Sequence, residues 1–197
     1  FSKLAVLGAF AALQCLLLLW VVQRKVEYPR SGVLLPVFGE LYITLFLAAL
    51  AGITLGLLLS SLVRNQNTVI YLMLLVLFVQ ILFAGAIFKL GGAAAPISYL
   101  TPTRWALEAL GSTVDMDRLN RLSVTCVEPE SEQQRRLMGD STPPCEEGQQ
   151  KLAPLLDFNV SYAHEAGHLL ARWGVLLLLS AVFSGLTFYV QKRKDIM

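Results

Sequence analysis

The sequence predicts an all-α membrane protein with four transmembrane helices and a large external loop that contains short interfacial helices. Three observations lead there. Apolar runs at residues 4–22, 41–63, 69–88 and 169–190 each approach the length that crosses a hydrocarbon core of about 30 Å at about 1.5 Å per helical residue. The 197-residue chain is 55% hydrophobic with a mean hydropathy of +0.60, too apolar for an ordinary soluble domain and too long for a single anchor. Eleven of its fourteen acidic side chains fall between residues 89 and 168, so one polar insertion separates the last apolar run from the first three.

Residues 4–22 are uncharged, with Lys3 before them and Arg24-Lys25 after them, and form the first span. Gln14 and Cys15 lie within it and read as helix-packing residues. Residues 23–39 contain Pro29, Gly32 and Pro36 among charged side chains, which reads as an exposed connection. Glu40 opens the second span near its first turn, where a carboxylate suits the helix dipole. That span, 41–63, carries Gly52 and Gly56 at the G-x-x-x-G spacing, which lets another helix approach closely. The short turn Arg64-Asn65-Gln66-Asn67 must sit at a membrane face, because backbone leaving a helix inside lipid would lose its hydrogen-bond partners. The third span, 69–88, ends at the helix-stopping pair Gly91-Gly92.

The insertion 89–168 is too polar to enter lipid unaided. Its part 96–111 is semi-apolar, with Tyr99 and Trp105 suited to the headgroup level and Pro102 suited to a first helical position, so an interfacial or re-entrant helix is expected there. The Glu132 and Arg136 spacing before Gly139 predicts a short surface helix over 130–138. Cys126 and Cys145 are the cysteines outside the spans. In an oxidising compartment they read as a disulfide, with two separate thiols as the alternative. The fourth span runs uncharged over 173–190 into Gln191-Lys192-Arg193-Lys194. This basic tail places both termini in the cytoplasm and the long loop outside.

Two chemistries are weighed against this frame. The span cores hold no Asp, Glu, Lys or Arg, which disfavours a proton-coupled secondary transporter and suits a path for large or lipophilic substrates. His164-Glu165-Ala166-Gly167-His168 fits H-E-x-x-H, which on a helix puts two imidazoles on one face for zinc and a carboxylate beside the metal-bound water. A membrane-embedded zinc metalloprotease using His164, Glu165 and His168 is therefore one alternative function. Its third ligand is lacking, since Asp195 alone follows the motif as an acidic residue, across the membrane from it. The other alternative is a structural membrane protein without transport activity.

The run Gly52-Ile-Thr-Leu-Gly-Leu-Leu-Leu-Ser-Ser-Leu-Val-Arg-Asn65 is followed by Gln80-Ile-Leu-Phe-Ala-Gly-Ala-Ile-Phe88 and Tyr99-Leu-Thr-Pro-Thr-Arg-Trp-Ala-Leu-Glu-Ala109. In order and spacing these segments resemble an ABC exporter permease of the type-2, G-subfamily-like class. Bacterial proteins that fuse an ATPase, sometimes with a forkhead-associated domain, ahead of the permease are the most similar. The resemblance implies that residues 1–197 form the C-terminal part of the transmembrane domain, the four spans matching the family's third to sixth. The start at Phe1 agrees with a fragment of a longer protein.

The same resemblance implies partners and mechanism. No G-x-x-x-x-G-K-[ST] phosphate loop occurs in the chain, so ATP and Mg are expected on a nucleotide-binding domain, in the same polypeptide or a partner subunit. A second permease in a dimer, the lipid bilayer and no nucleic acid complete the partners, and a bacterial inner membrane is the expected location. Alternating access is the implied mechanism. Phe78, Gln80, Phe83 and Ile87 are the candidates for the substrate path, with helix packing or lipid contact as their plain alternative.

Overall fold

The computed structural model describes residues 2–25, 32–63, 66–84, 94–116 and 162–195. Among these residues the structure is all helical, in six elements: α1 (Ser2–Gln23), α2 (Val37–Leu62), α3 (Gln66–Phe83), α4 (Ala94–Ser98), α5 (Pro102–Thr113) and α6 (Ala166–Asp195).

Helix α2 is the centre of the packing. Its 26 residues make it about 39 Å long, and it packs on α6, α1, α5 and α3. One apolar cluster joins Leu47 and Ala51 of α2 to Ala106 of α5 and Leu176 of α6, with Trp105 and Trp173 against it. The other joins Leu19 of α1 to Val37 and Leu41 of α2. Small side chains make these approaches close, since Ala51 and Ala109 are completely buried and leave room for backbones to draw together.

The helix ends explain the lengths. Glu40 lies in the first turn of α2, and its Oε1 accepts the backbone N–H groups of Leu34 and Leu35 at 2.5 and 2.8 Å. The carboxylate thus folds the entering chain onto the helix start. At the other end of α2, the Lys194 ammonium of α6 donates to the Ser61 carbonyl at 2.5 Å. Ser61 is among the last four residues of α2, whose carbonyls have no partner within the helix, so a cation from the neighbouring helix serves as the cap.

Among the described residues, three helices are long and apolar enough to cross a membrane: Leu4–Gln23, Val37–Leu62 and Ala166–Lys194. Of the run expected as a third span, 69–88, residues 85–88 lie outside the described residues. Its helix begins at Gln66 and ends at Phe83, and the apolar part Asn67–Phe83 is shorter than the other three. At 18 residues it reaches about 27 Å, just under a hydrocarbon core of about 30 Å. Thr103 of α5 meets this helix near its end, its Oγ1 donating to the Gln80 carbonyl at 3.1 Å, while Thr101 Oγ1, which donates to the Ser98 carbonyl at 2.7 Å, lies 3.4 Å from the Phe83 carbonyl.

The outer surfaces are apolar. Phe10, Leu17 and Trp20 of α1, Leu74 and Phe78 of α3, and Leu178 and Phe188 of α6 are all more than half exposed. A bilayer, or another protein within one, takes them out of water. The Gly52 and Gly56 positions also face outward, and a Cβ built on either meets no atom within 4 Å. The close approach expected at this pair is therefore not made among the described residues.

Candidate functional site

Pro102 at the first position starts α5, with Thr101 in extended conformation before it. The expected helix over 96–111 is thus two helices, α4 and α5, broken at residues 99–101. The proline ring fixes φ for the first turn and forfeits an N–H that no helix would use there. From this start Arg104 and Glu108 fall one turn apart on the buried face of α5, as neighbours on a helix surface must.

They form a buried charged cluster with the start of α6. Arg104 Nε lies 3.1 Å from Glu108 Oε1, and Arg172 Nε of α6 lies 2.5 Å from Glu108 Oε2. One carboxylate holds two guanidiniums. The side chains of Arg104, Glu108 and Arg172 are 9%, 3% and 22% exposed, so Arg172 is the open edge of the cluster. Arg104 also donates to the Ser98 hydroxyl, and Arg172 Nη2 donates to His168 Nε2 at 2.9 Å. A guanidinium has no acceptor, so that imidazole nitrogen carries no proton.

Aromatic rings close the cluster. The Arg104 guanidinium lies 4.1 Å from the Tyr99 ring centre and that of Arg172 lies 5.0 Å from the Trp105 ring, both within cation–π range. Trp105 Nε1 donates to the Tyr99 carbonyl at 2.9 Å. Next to Arg172, Trp173 Nε1 donates to Thr44 Oγ1 of α2 at 2.9 Å. The beginnings of α2, α5 and α6 are therefore held by one polar assembly at one end of the bundle. The arrangement contains no nucleophile with a base beside it, and its chemistry is that of a charged joint between helices.

The H-E-x-x-H segment takes a different shape from a zinc helix. Helix α6 begins at Ala166, and the Leu169 N–H bonds to the Glu165 carbonyl at 3.1 Å, so His164 and Glu165 precede the helix. His164 Nδ1 donates to the Ser112 carbonyl at 2.7 Å, while His168 accepts from Arg172. The two imidazoles face different partners rather than one metal position. Among the described residues no group of three His, Cys, Asp or Glu side chains is gathered for a metal.

Of the candidate path residues, Phe78 points outward at 59% exposure. Gln80 and Phe83 are partly buried, and the Gln80 backbone carbonyl accepts from Thr103. Ile87 lies outside the described residues, as do Cys126, Cys145 and the surface helix expected over 130–138. An apolar cavity of about 230 Å³ lies elsewhere, between α2 and α5, lined by Leu41, Leu107, Leu110, Gly111, Val114 and Tyr162, together with Met116. The functional residues that sequence reasoning passed over are Arg104, Glu108 and Arg172. The four-residue spacing of the first two was a readable signal, whereas nothing local to Arg172 pointed to Glu108.

A helical bundle with apolar outer faces, long apolar helices and a charged joint at one end defines a membrane-embedded component. A protein-family model described as ABC-2 family transporter protein matches residues 1–189. The chain belongs to that family and is the transmembrane permease of an ABC transporter, a component that works with an ABC ATPase. No curated protein and no solved structure gives a match.

Proposed function

We propose that the chain is the permease part of an ATP-driven exporter of the G-subfamily-like class, crossing the membrane four times with both termini in the cytoplasm. A second permease forms the path with it, and the nucleotide-binding domain, fused or separate, supplies ATP and Mg. Closure of the ATPases then tilts the helices between inward-open and outward-open states. A bacterial inner membrane is the setting.

The observation that carries this reading is the way α5 joins α3 to α6. Thr103 donates to the Gln80 carbonyl near the end of α3, while Glu108 holds Arg172 of α6. A helix pair fastened to both neighbours at one end lets them move as levers about that end. The open Gly52 and Gly56 face supports a second permease, since small residues at this spacing accept a close helix.

The test needs no knowledge of the substrate. Spin labels at Leu74 of α3 and Leu178 of α6, both exposed, report their separation in the full-length transporter reconstituted in lipid. The distance distribution is expected to shift between the nucleotide-free and the ATP-vanadate-trapped states. It is expected not to shift when the phosphate-loop lysine of the ATPase is replaced. An identical distribution in both states of the active protein overturns alternating access.

A further inference from the structure

Among the described residues, the cluster at the start of α6 sets two guanidiniums against one carboxylate. Arg104 and Arg172 share Glu108 as their ion-pair partner, and Arg172 also donates to His168 Nε2. A guanidinium that shares its carboxylate with a second one, at the open edge of the cluster, is a place where an anion gains a charge-assisted contact.

The position of the cluster says what carries that anion. Arg172 immediately precedes the uncharged stretch 173–190, whose 18 residues span about 27 Å. That places its guanidinium at the boundary of the hydrocarbon core, at headgroup level. On the same side, Ile97 of α4 and Tyr99 and Leu100 of the α4–α5 connection are 49%, 52% and 73% exposed, an apolar edge beside the charge. A soluble anion would leave that edge in water. An anion attached to acyl chains covers both.

We propose that Arg172, backed by Arg104 and Glu108, binds the phosphodiester of a phospholipid headgroup, with the acyl chains lying against Ile97, Tyr99 and Leu100. The guanidinium has the geometry for it. Its Nε faces Glu108 and its Nη2 faces His168, which leaves Nη1 for a phosphate oxygen. Glu108 and the Trp105 ring hold the plane of Arg172 in place before a lipid arrives. Arg104, nearly sealed and donating to Ser98, contributes charge without contact. The site takes a lipid of the surrounding leaflet and is independent of what the transporter exports.

The full-length protein, purified in a non-ionic detergent and stripped of lipid, provides the test through its melting temperature. It is titrated separately with dioleoyl phosphatidylglycerol, with dioleoylglycerol and with inorganic phosphate. Phosphatidylglycerol is expected to reach half its effect at about one tenth the concentration of dioleoylglycerol, reflecting one charge-assisted hydrogen bond. Inorganic phosphate is expected to have no comparable effect, and Arg172→Gln should bring the two lipids together. Equal action of the two lipids on the wild-type protein overturns the proposal. So does equal protection by inorganic phosphate, or an unchanged lipid preference in Arg172→Gln. Should Arg172→Gln fail to fold, the wild-type headgroup series decides alone, and Arg172→Lys is expected to keep only part of the preference.

Discussion

Trp173 of α6 donates its indole N–H to the hydroxyl of Thr44 on α2 at 2.9 Å, and Thr44 is completely buried. This bond crosses the most extensive helix contact of the bundle and sits one residue from the charged cluster. Thr44→Val keeps the shape of the side chain but leaves the indole without its acceptor. Trp173→Phe is expected to be less harmful to the polar balance, because a threonine hydroxyl can bond its own helix, as Thr187 does to the Phe183 carbonyl at 2.7 Å. A double-mutant cycle on thermal unfolding should give a coupling of about 0.6 kcal/mol and no more than about 1.7. A coupling of zero would mean that the bond does not hold α2 to α6.

The charged cluster predicts an order of damage. Glu108→Ala leaves two guanidiniums buried against aromatic rings, and breaking a buried pair from one side costs about 3–5 kcal/mol. Arg172→Gln should cost clearly less, because Arg172 is the most exposed member and can reach water or headgroups. Denaturation of the three single variants in one detergent, Arg104→Gln included, ranks them. A larger loss from Arg172→Gln than from Glu108→Ala would show that Glu108 is not the hub.

Gly111 predicts a steric effect. A Cβ placed there would fall into the Tyr162 ring, against Cδ1 and Cε1, and Tyr162 is itself buried at 5% exposure. Gly111→Ala should therefore destabilise by about 1–3 kcal/mol as overpacking does. With Tyr162→Ala already present, the same change should cost little. Two independent, additive losses would show that the ring does not rest on the glycine.

Cys126 and Cys145, which lie between α5 and α6 in the sequence, are predicted to form a disulfide. Gly139, Pro143 and Pro144 between them allow the chain to turn back, and closing a loop of this size contributes about 3 kcal/mol by restricting the unfolded chain. Thiol labelling of the denatured protein should count one cysteine of these three, Cys15, before reduction and three after it. Three before reduction would rule out the bond and remove its support for an external loop.

Sequence alone was enough to establish the apolar helices, because the thickness of a bilayer sets how long an uncharged run must be and few other structures tolerate one. It also placed Glu40 in the first turn of α2 and Pro102 at the start of α5, since caps and proline act within a few residues of themselves. What it could not decide were events that need two distant segments. Whether His164 and His168 share a helix depends on where α6 begins, and Ser112 of α5 decides this by binding both His164 and Ala163. Near its end α3 lies against Thr103, whose hydroxyl donates to the Gln80 carbonyl, a contact that no pattern inside 69–88 reveals. Arg104 and Glu108 were readable as a pair one turn apart, but Arg172 joined them only in three dimensions. A lone arginine before an apolar run reads as a membrane-boundary charge, and only packing α6 against α5 brings it to the one buried carboxylate that holds both guanidiniums.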